Sequence, residues 1–124
     1  MATITSSLTL KGTGVTSDEL SITQSSTFNV TLPAVESGTL NVTATPADLV
    51  PANTKRVYLY VKNTGTLTGG DDNVHIQTAA GVNIADLAPT EWLFFPVEES
   101  LNLKVDAATG SGTSTVEYSY FTAA

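Results

Sequence analysis

The feature that most constrains this chain is short-range alternation: large apolar side chains recur at every second residue, in runs too brief for helices. Phe28, Val30 and Leu32 alternate with Asn29 and Thr31, and Leu40 and Val42 with Asn41 and Thr43. Val57, Leu59 and Val61 interleave with Tyr58 and Tyr60, and Leu101, Leu103 and Val105 with Asn102 and Lys104. A strand sends successive side chains to opposite faces, so a period of two marks a half-buried strand. Val74 with Ile76, the run 91–97, and Val116 with Tyr118 and Tyr120 continue the pattern. Seven or eight short strands at spacings of about 8–15 residues predict an all-β fold, an antiparallel β-sandwich or jelly-roll-like domain.

Several local readings follow. The strands at 28–32 and 40–43, joined by Pro33-Ala34-Val35-Glu36-Ser37-Gly38, read as an antiparallel pair. The run 57–61 is apolar or aromatic on both faces, which suits a central strand or one covered by a partner. In 91–97, Trp92 and Phe94 share one face, Leu93 and Phe95 the other. Residues 46–50 and 84–87 are candidates for single helical turns, stopped by Pro51 and Pro89. Asn63-Thr64-Gly65, residues 69–73 and Gly110-Ser111-Gly112 read as turns.

Composition agrees. Charged residues make up 14% of the chain, against about 25% in an ordinary soluble domain, and 21 Thr and 11 Ser take their place. Threonine suits a pleated, half-exposed surface. Its 124 residues suffice for one domain with its own core. Residues 1–25 hold few large side chains (Ile4, Leu8, Leu10, Val15, Leu20, Ile22) and read as a Ser/Thr-rich arm or edge strand. Residues 26–124 read as the sandwich.

The charge narrows the partners. A net charge of −7 repels phosphate backbones and anionic bilayers, so neither nucleic acid nor membrane is an expected partner. The basic residues Lys11, Lys55, Arg56, Lys62 and Lys104 form no patch. The opening lacks the basic and apolar regions of a signal peptide, and no apolar run reaches the roughly 20 residues of a membrane span. The expected site of synthesis is the cytoplasm. Without cysteine, disulfides and thiolate metal sites are excluded.

Candidate chemistry is sparse. His75 is the only histidine and should face outward between Val74 and Ile76. Asp18-Glu19, Asp71-Asp72 and Glu98-Glu99 are adjacent pairs, and adjacency on a strand sends carboxylates to opposite faces. Gly69-Gly70-Asp71-Asp72-Asn73 offers oxygen ligands but lacks the spacing and distal glutamate of a calcium loop. Asn29-Val30-Thr31 and Asn41-Val42-Thr43 match the glycosylation sequon and, without a leader, read as strand residues. The expectation is no catalytic residue, no metal and no cofactor: a non-enzymatic protein. Trp92, Tyr58 or Tyr60, set beside polar groups, would suit a sugar-binding face.

Three segments carry a resemblance: Val57-Tyr58-Leu59-Tyr60-Val61-Lys62-Asn63-Thr64-Gly65, Leu87-Ala88-Pro89-Thr90-Glu91-Trp92-Leu93-Phe94-Phe95-Pro96-Val97 and Val116-Glu117-Tyr118-Ser119-Tyr120-Phe121. In their order, with the Ser/Thr-rich opening, they resemble small β-rich virion structural proteins of tailed bacteriophages, of the marine and cyanobacterial type. Thr90 stands where that pattern usually has glycine. The resemblance implies a capsid decoration (cement) protein that binds the major capsid protein on the outside of the virion and stabilises capsomer junctions. A homotrimer would suit local threefold sites. The alternatives are a tail, baseplate or fibre component, and a carbohydrate-binding β-sandwich module. Large aromatics tend to anchor interfaces, so Tyr58, Tyr60, Trp92, Phe94, Tyr118 and Tyr120 are the candidate subunit or partner contacts. On that reading Trp92→Ala weakens assembly.

Overall fold

The structure, a computed structural model, describes residues 2–14, 19–66, 72–108 and 114–124, with backbone only at 32–35. Among these residues there are nine strands and no helix: β1 (Ala2–Gly12), β2 (Leu20–Val42), β3 (Ala47–Val50), β4 (Val57–Asn63), β5 (Val74–Thr78), β6 (Asn83–Leu87), β7 (Trp92–Val97), β8 (Leu103–Ala107) and β9 (Ser114–Ala123). They form two antiparallel sheets, ordered β1-β2-β9-β4-β7 and β3-β8-β5-β6. Apart from the β5–β6 hairpin, each step from β2 to β9 crosses between sheets. Eight strands wound in this order are a jelly roll, one of the two antiparallel architectures that the sequence left open. The β1 strand is an addition at the edge.

The two sheets enclose a core rich in β-branched residues. Val42, Val57, Leu59, Val61, Val97 and Val116 from the first sheet meet Val50, Val74, Ile76, Leu103 and Val105 from the second. Every second residue of β4 is buried, from Val57 through Asn63. The strand lies between β9 and β7, the central position its two-faced sequence suggested.

Two sequence expectations are overturned. Segments 28–32 and 40–43 do not pair with each other; both lie on the single 23-residue strand β2. The intervening residues stay extended because a second ladder is available: Val35 to Val42 pair with Phe121 to Ser114. A register shift between Val30 and Val35 spans Pro33, which has no N–H to give a ladder. Residues 47–50 and 83–87 are strands, β3 and β6, not helical turns. At each, pairing with a neighbouring strand outweighs the weak local preference of a four- or five-residue segment.

Turn chemistry explains the tight connections. Between β5 and β6, Thr78 N–H donates to Val82 C=O and Gly81 N–H to Thr78 C=O, with Gly81 at φ 82°. This is a three-residue hairpin loop closed by a left-handed glycine. Before β7, Glu91 N–H donates to Ala88 C=O across Pro89 and Thr90, and Thr90 has φ 78°. Proline at the second position and positive φ at the third define a type II turn, which favours glycine at the third. The turn therefore keeps its geometry with a β-branched residue in a left-handed conformation that costs about 1–2 kcal/mol. Thr90 is exposed, so little packing is lost on trimming it. Thr90→Gly is expected to stabilise the fold by about 1 kcal/mol, raising Tm by roughly 4 °C in a thermal melt. An unchanged or lowered Tm would contradict the strain.

Candidate functional site

The first β-hairpin is where polar and apolar chemistry separate most sharply. Strand β1 pairs with residues 20–30 of β2 in unbroken register, from Ala2↔Val30 to Gly12↔Leu20. One face of this ribbon carries the rungs Ala2–Val30, Ile4–Phe28, Ser6–Ser26, Leu8–Gln24, Leu10–Ile22 and Gly12–Leu20. The other presents Thr3, Thr5, Ser7, Thr9 and Lys11 opposite Asn29, Thr27, Ser25, Thr23 and Ser21. Hydroxyls bridge the strands on that polar face: Thr3 Oγ1 lies 3.3 Å from Asn29 Oδ1, and Thr5 Oγ1 lies 3.1 Å from Thr27 Oγ1. Burial alternates from Ala2 to Ser7 and is lost from Leu8 to Lys11. The near half of the arm is covered and the far half is not.

The cover is the outer face of the five-stranded sheet. Cross-strand pairing sets Tyr58 opposite Pro96 and Phe121, Tyr60 opposite Phe94 and Ser119, and Lys62 opposite Trp92 and Glu117. The arm folds over this face through Phe28, whose ring stacks on Tyr58 at 3.9 Å and lies 6.1 Å from Phe94. Tyr58 and Phe94 are themselves 6.3 Å apart and nearly parallel. One rung further out, Ser6 and Ser26 are too small to reach the sheet. A cleft of about 510 Å³ opens there, lined by Ile4, Ser6, Leu8, Gln24 and Ser26 from the arm and by Tyr60, Trp92 and Phe94 from the sheet. Trp92 is 53% exposed; Leu8, Leu10 and Ile22 are 40–46% exposed.

The six aromatics singled out from the sequence thus divide. Tyr58, Tyr60, Trp92 and Phe94 gather on this outer face. Tyr118 and Tyr120 point the other way, inward beside Val116, and pack against the core with their rings 6.5 Å apart. Tyr118 lies over Gly38, where an added Cβ would stand 3.3 Å from its hydroxyl. The residues that sequence reasoning missed are on the arm: Ser6, Gln24, Ser26 and the anchor Phe28. The signal was present, since Leu20, Ile22, Phe28 and Val30 keep the same period of two as Ile4, Leu8 and Leu10. Hydroxyl residues interrupt it on both strands.

Two tyrosines have perturbed acidity. Burial raises the Tyr60 phenol above its ordinary value of 10.0, reinforced by the Glu117 carboxylate to which it hydrogen-bonds. Burial also raises Tyr120, with the charge of Glu36 and the neighbouring Tyr118 adding to it. A raised pKa in the fold means that the native state favours the neutral phenol. The associated stability is present below about pH 10 and is lost as pH climbs through the raised values. Ultraviolet titration should show phenolate forming later in the folded protein than in guanidinium. Tyr60→Phe should remove one of the late-titrating groups.

His75 sits on the outer face of the other sheet, as expected. Its Nδ1 is 3.2 Å from Asp106 Oδ1 and its Nε2 is 3.9 Å from Asp86 Oδ1, the two cross-strand neighbours. Asn73 Nδ2 donates to Asp86 Oδ2 at 3.3 Å. Lys104 and Asp48 extend this charged row at 3.4 Å. The pair of carboxylates orients the imidazole, and among the described residues no hydroxyl is hydrogen-bonded to either ring nitrogen. Among the described residues no three His, Asp or Glu side chains are placed to hold a metal ion. Of the polar run 69–73, residues 69–71 lie outside the described residues, as do Asp18 and residues 110–112. Glu98 and Glu99 are exposed beside a second cleft, with Arg56 and Ser100. In the two sequons Asn29 and Asn41 are strand residues whose amide oxygens lie within hydrogen-bond reach of the Thr3 and Thr115 hydroxyls.

The chain matches no protein-family model, no curated protein and no solved structure.

Proposed function

We propose that this chain is a non-enzymatic structural protein of a tailed-phage virion that decorates the outer capsid surface and partners the major capsid protein. The observation that carries the reading is the amphipathic arm. Its near half is fastened to the sandwich by the Phe28 stack, and along its far half Leu8, Leu10 and Ile22 are 40–46% exposed among the described residues. A two-stranded ribbon is marginal in water by itself. One that keeps an apolar face beyond its own domain is suited to lie on another protein. The jelly roll is a fold that capsid and lectin domains both use, so it supports the reading only as an analogy. The six aromatics remain the proposed contacts, with the four on the outer face better placed than Tyr118 and Tyr120.

Immunogold labelling of tailed-phage particles from the source of this chain, with an antibody raised against it, tests the proposal. Label over the head supports decoration. Label confined to the tail favours the tail, baseplate or fibre reading, and unlabelled virions reject both. Sedimentation velocity of the purified chain adds the assembly state: a trimer fits local threefold capsid sites, while a hexamer or open polymer fits a tail ring or tube.

A further inference from the structure

We propose that the cleft between the arm and the outer aromatic face binds a neutral oligosaccharide. A sugar ring presents a C–H face that packs on aromatic rings and a rim of hydroxyls that each need a hydrogen-bonding partner. The cleft supplies both. Tyr60, Phe94 and Trp92 form its floor across two adjacent strands, and the half-exposed indole of Trp92 leaves room for a stacked ring. Its wall holds the Ser6 and Ser26 hydroxyls and the Gln24 carboxamide. Ser6 Oγ donates to Ser26 C=O at 3.4 Å and keeps its lone pairs to accept, while the Ser26 and Gln24 side chains can both donate and accept.

Three further observations favour this occupant. Among the described residues none of the side chains lining the cleft is charged, so it offers no counter-charge to an ionic ligand, and the net charge of −7 further disfavours anions. The volume of about 510 Å³ lies within the range of small-molecule sites. The floor is also preorganised: Phe94 is held in the ring cluster with Tyr58 and Phe28, and the Tyr60 hydroxyl is tied to Glu117. A purely apolar occupant would strip water from Ser6, Ser26 and Gln24 without replacing its hydrogen bonds, which is costly. An oligosaccharide replaces them.

Trp92 is the only tryptophan, so its emission reports directly on the cleft. Maltohexaose, cellohexaose, laminarihexaose and chitohexaose would each be titrated against the intact protein. The expected result is a saturable change in Trp92 emission with at least one of them, at roughly millimolar affinity or tighter. Ser26→Val fills the gap and removes a hydroxyl at an exposed strand position, and Gln24→Leu removes the carboxamide. Each should weaken binding at least about ten-fold while the melting curve stays native. Calorimetry would show a loss of at least that size for Trp92→Ala.

The proposal is overturned if none of the four sugars gives a saturable response, or if both arm variants bind as the parent does. It is also overturned if Trp92 emission shifts with protein concentration alone, because the cleft then closes on a second copy. Labelled virions without sugar binding, or sugar binding without labelled virions, separate this inference from the proposed function.

Discussion

Replacing Asn63 by alanine should lower Tm by roughly 15 °C, the largest effect expected of any polar residue among the described ones. Asn63 is wholly buried at the end of β4. Its Nδ2 donates to Asp72 C=O at 2.9 Å and to Leu87 C=O at 3.0 Å, and its Oδ1 accepts from Gly65 N–H at 3.0 Å. Its backbone N–H and C=O bond to Glu91 and Thr90. The side chain thus ties the end of β4 to the segment leading into β5 and to the end of β6, and the Asn63 backbone ties it to the turn before β7. Alanine removes three hydrogen bonds where water cannot replace them. At about 1 kcal/mol net for each bond, and more where a buried group loses its partner, the total is about 3–5 kcal/mol. The whole fold of such a domain is worth about 5–15 kcal/mol. The Asp72 carbonyl keeps the Ser114 hydroxyl at 2.8 Å, which moderates the loss. Asn63→Asp retains the shape but turns a carboxylate oxygen toward two carbonyl oxygens, and should be at least as damaging. A drop of less than about 4 °C in both variants would show that the amide is not the tie described here.

Phe28→Ala should release the arm while leaving the jelly roll intact. The Phe28 ring contributes burial worth about 1.5–3 kcal/mol when complete, and less for a half-buried ring. Its stack on Tyr58 adds about 0.5–1.5 kcal/mol. A net loss of about 2 kcal/mol corresponds to a roughly thirty-fold drop in the protection of the Ala2–Gly12 amides against hydrogen exchange. Amides between β4 and β7 should keep their protection. Unchanged protection in the arm, or a uniform loss in every strand, would count against an arm anchored by this ring.

These two residues also show what the sequence could and could not reveal. Alternation disclosed the strand chemistry of β4, β5, β7, β8 and β9 and the two faces of Trp92-Leu93-Phe94-Phe95, because each such strand has one face in the core and one outside it. It could not reveal which strand pairs with which. The link at 33–38 looks like a turn in sequence, yet its backbone continues β2 because β9 offers a ladder. Asn63 followed by Thr64 and Gly65 carries the signature of a surface turn, and only the convergence of Asp72 and Leu87 makes it a buried hub. Short β3 and β6 lack a local signal strong enough to exclude a helical turn. The cleft was half legible: its aromatic floor stood out, while its wall of Ser6, Gln24 and Ser26 looked like ordinary hydroxyl-rich surface.

The double duty of β2 also has a mechanical consequence. The same backbone that forms one rail of the arm runs on without a break into the sandwich, where Val35 to Val42 pair with Phe121 to Ser114. Tension applied at the arm's tip therefore passes along β2 and loads those rungs in parallel, as shear. A ribbon joined crosswise through a flexible loop would instead be peeled away one rung at a time. If the arm grips a neighbouring surface, this protein resists being pulled off by the summed strength of a whole ladder.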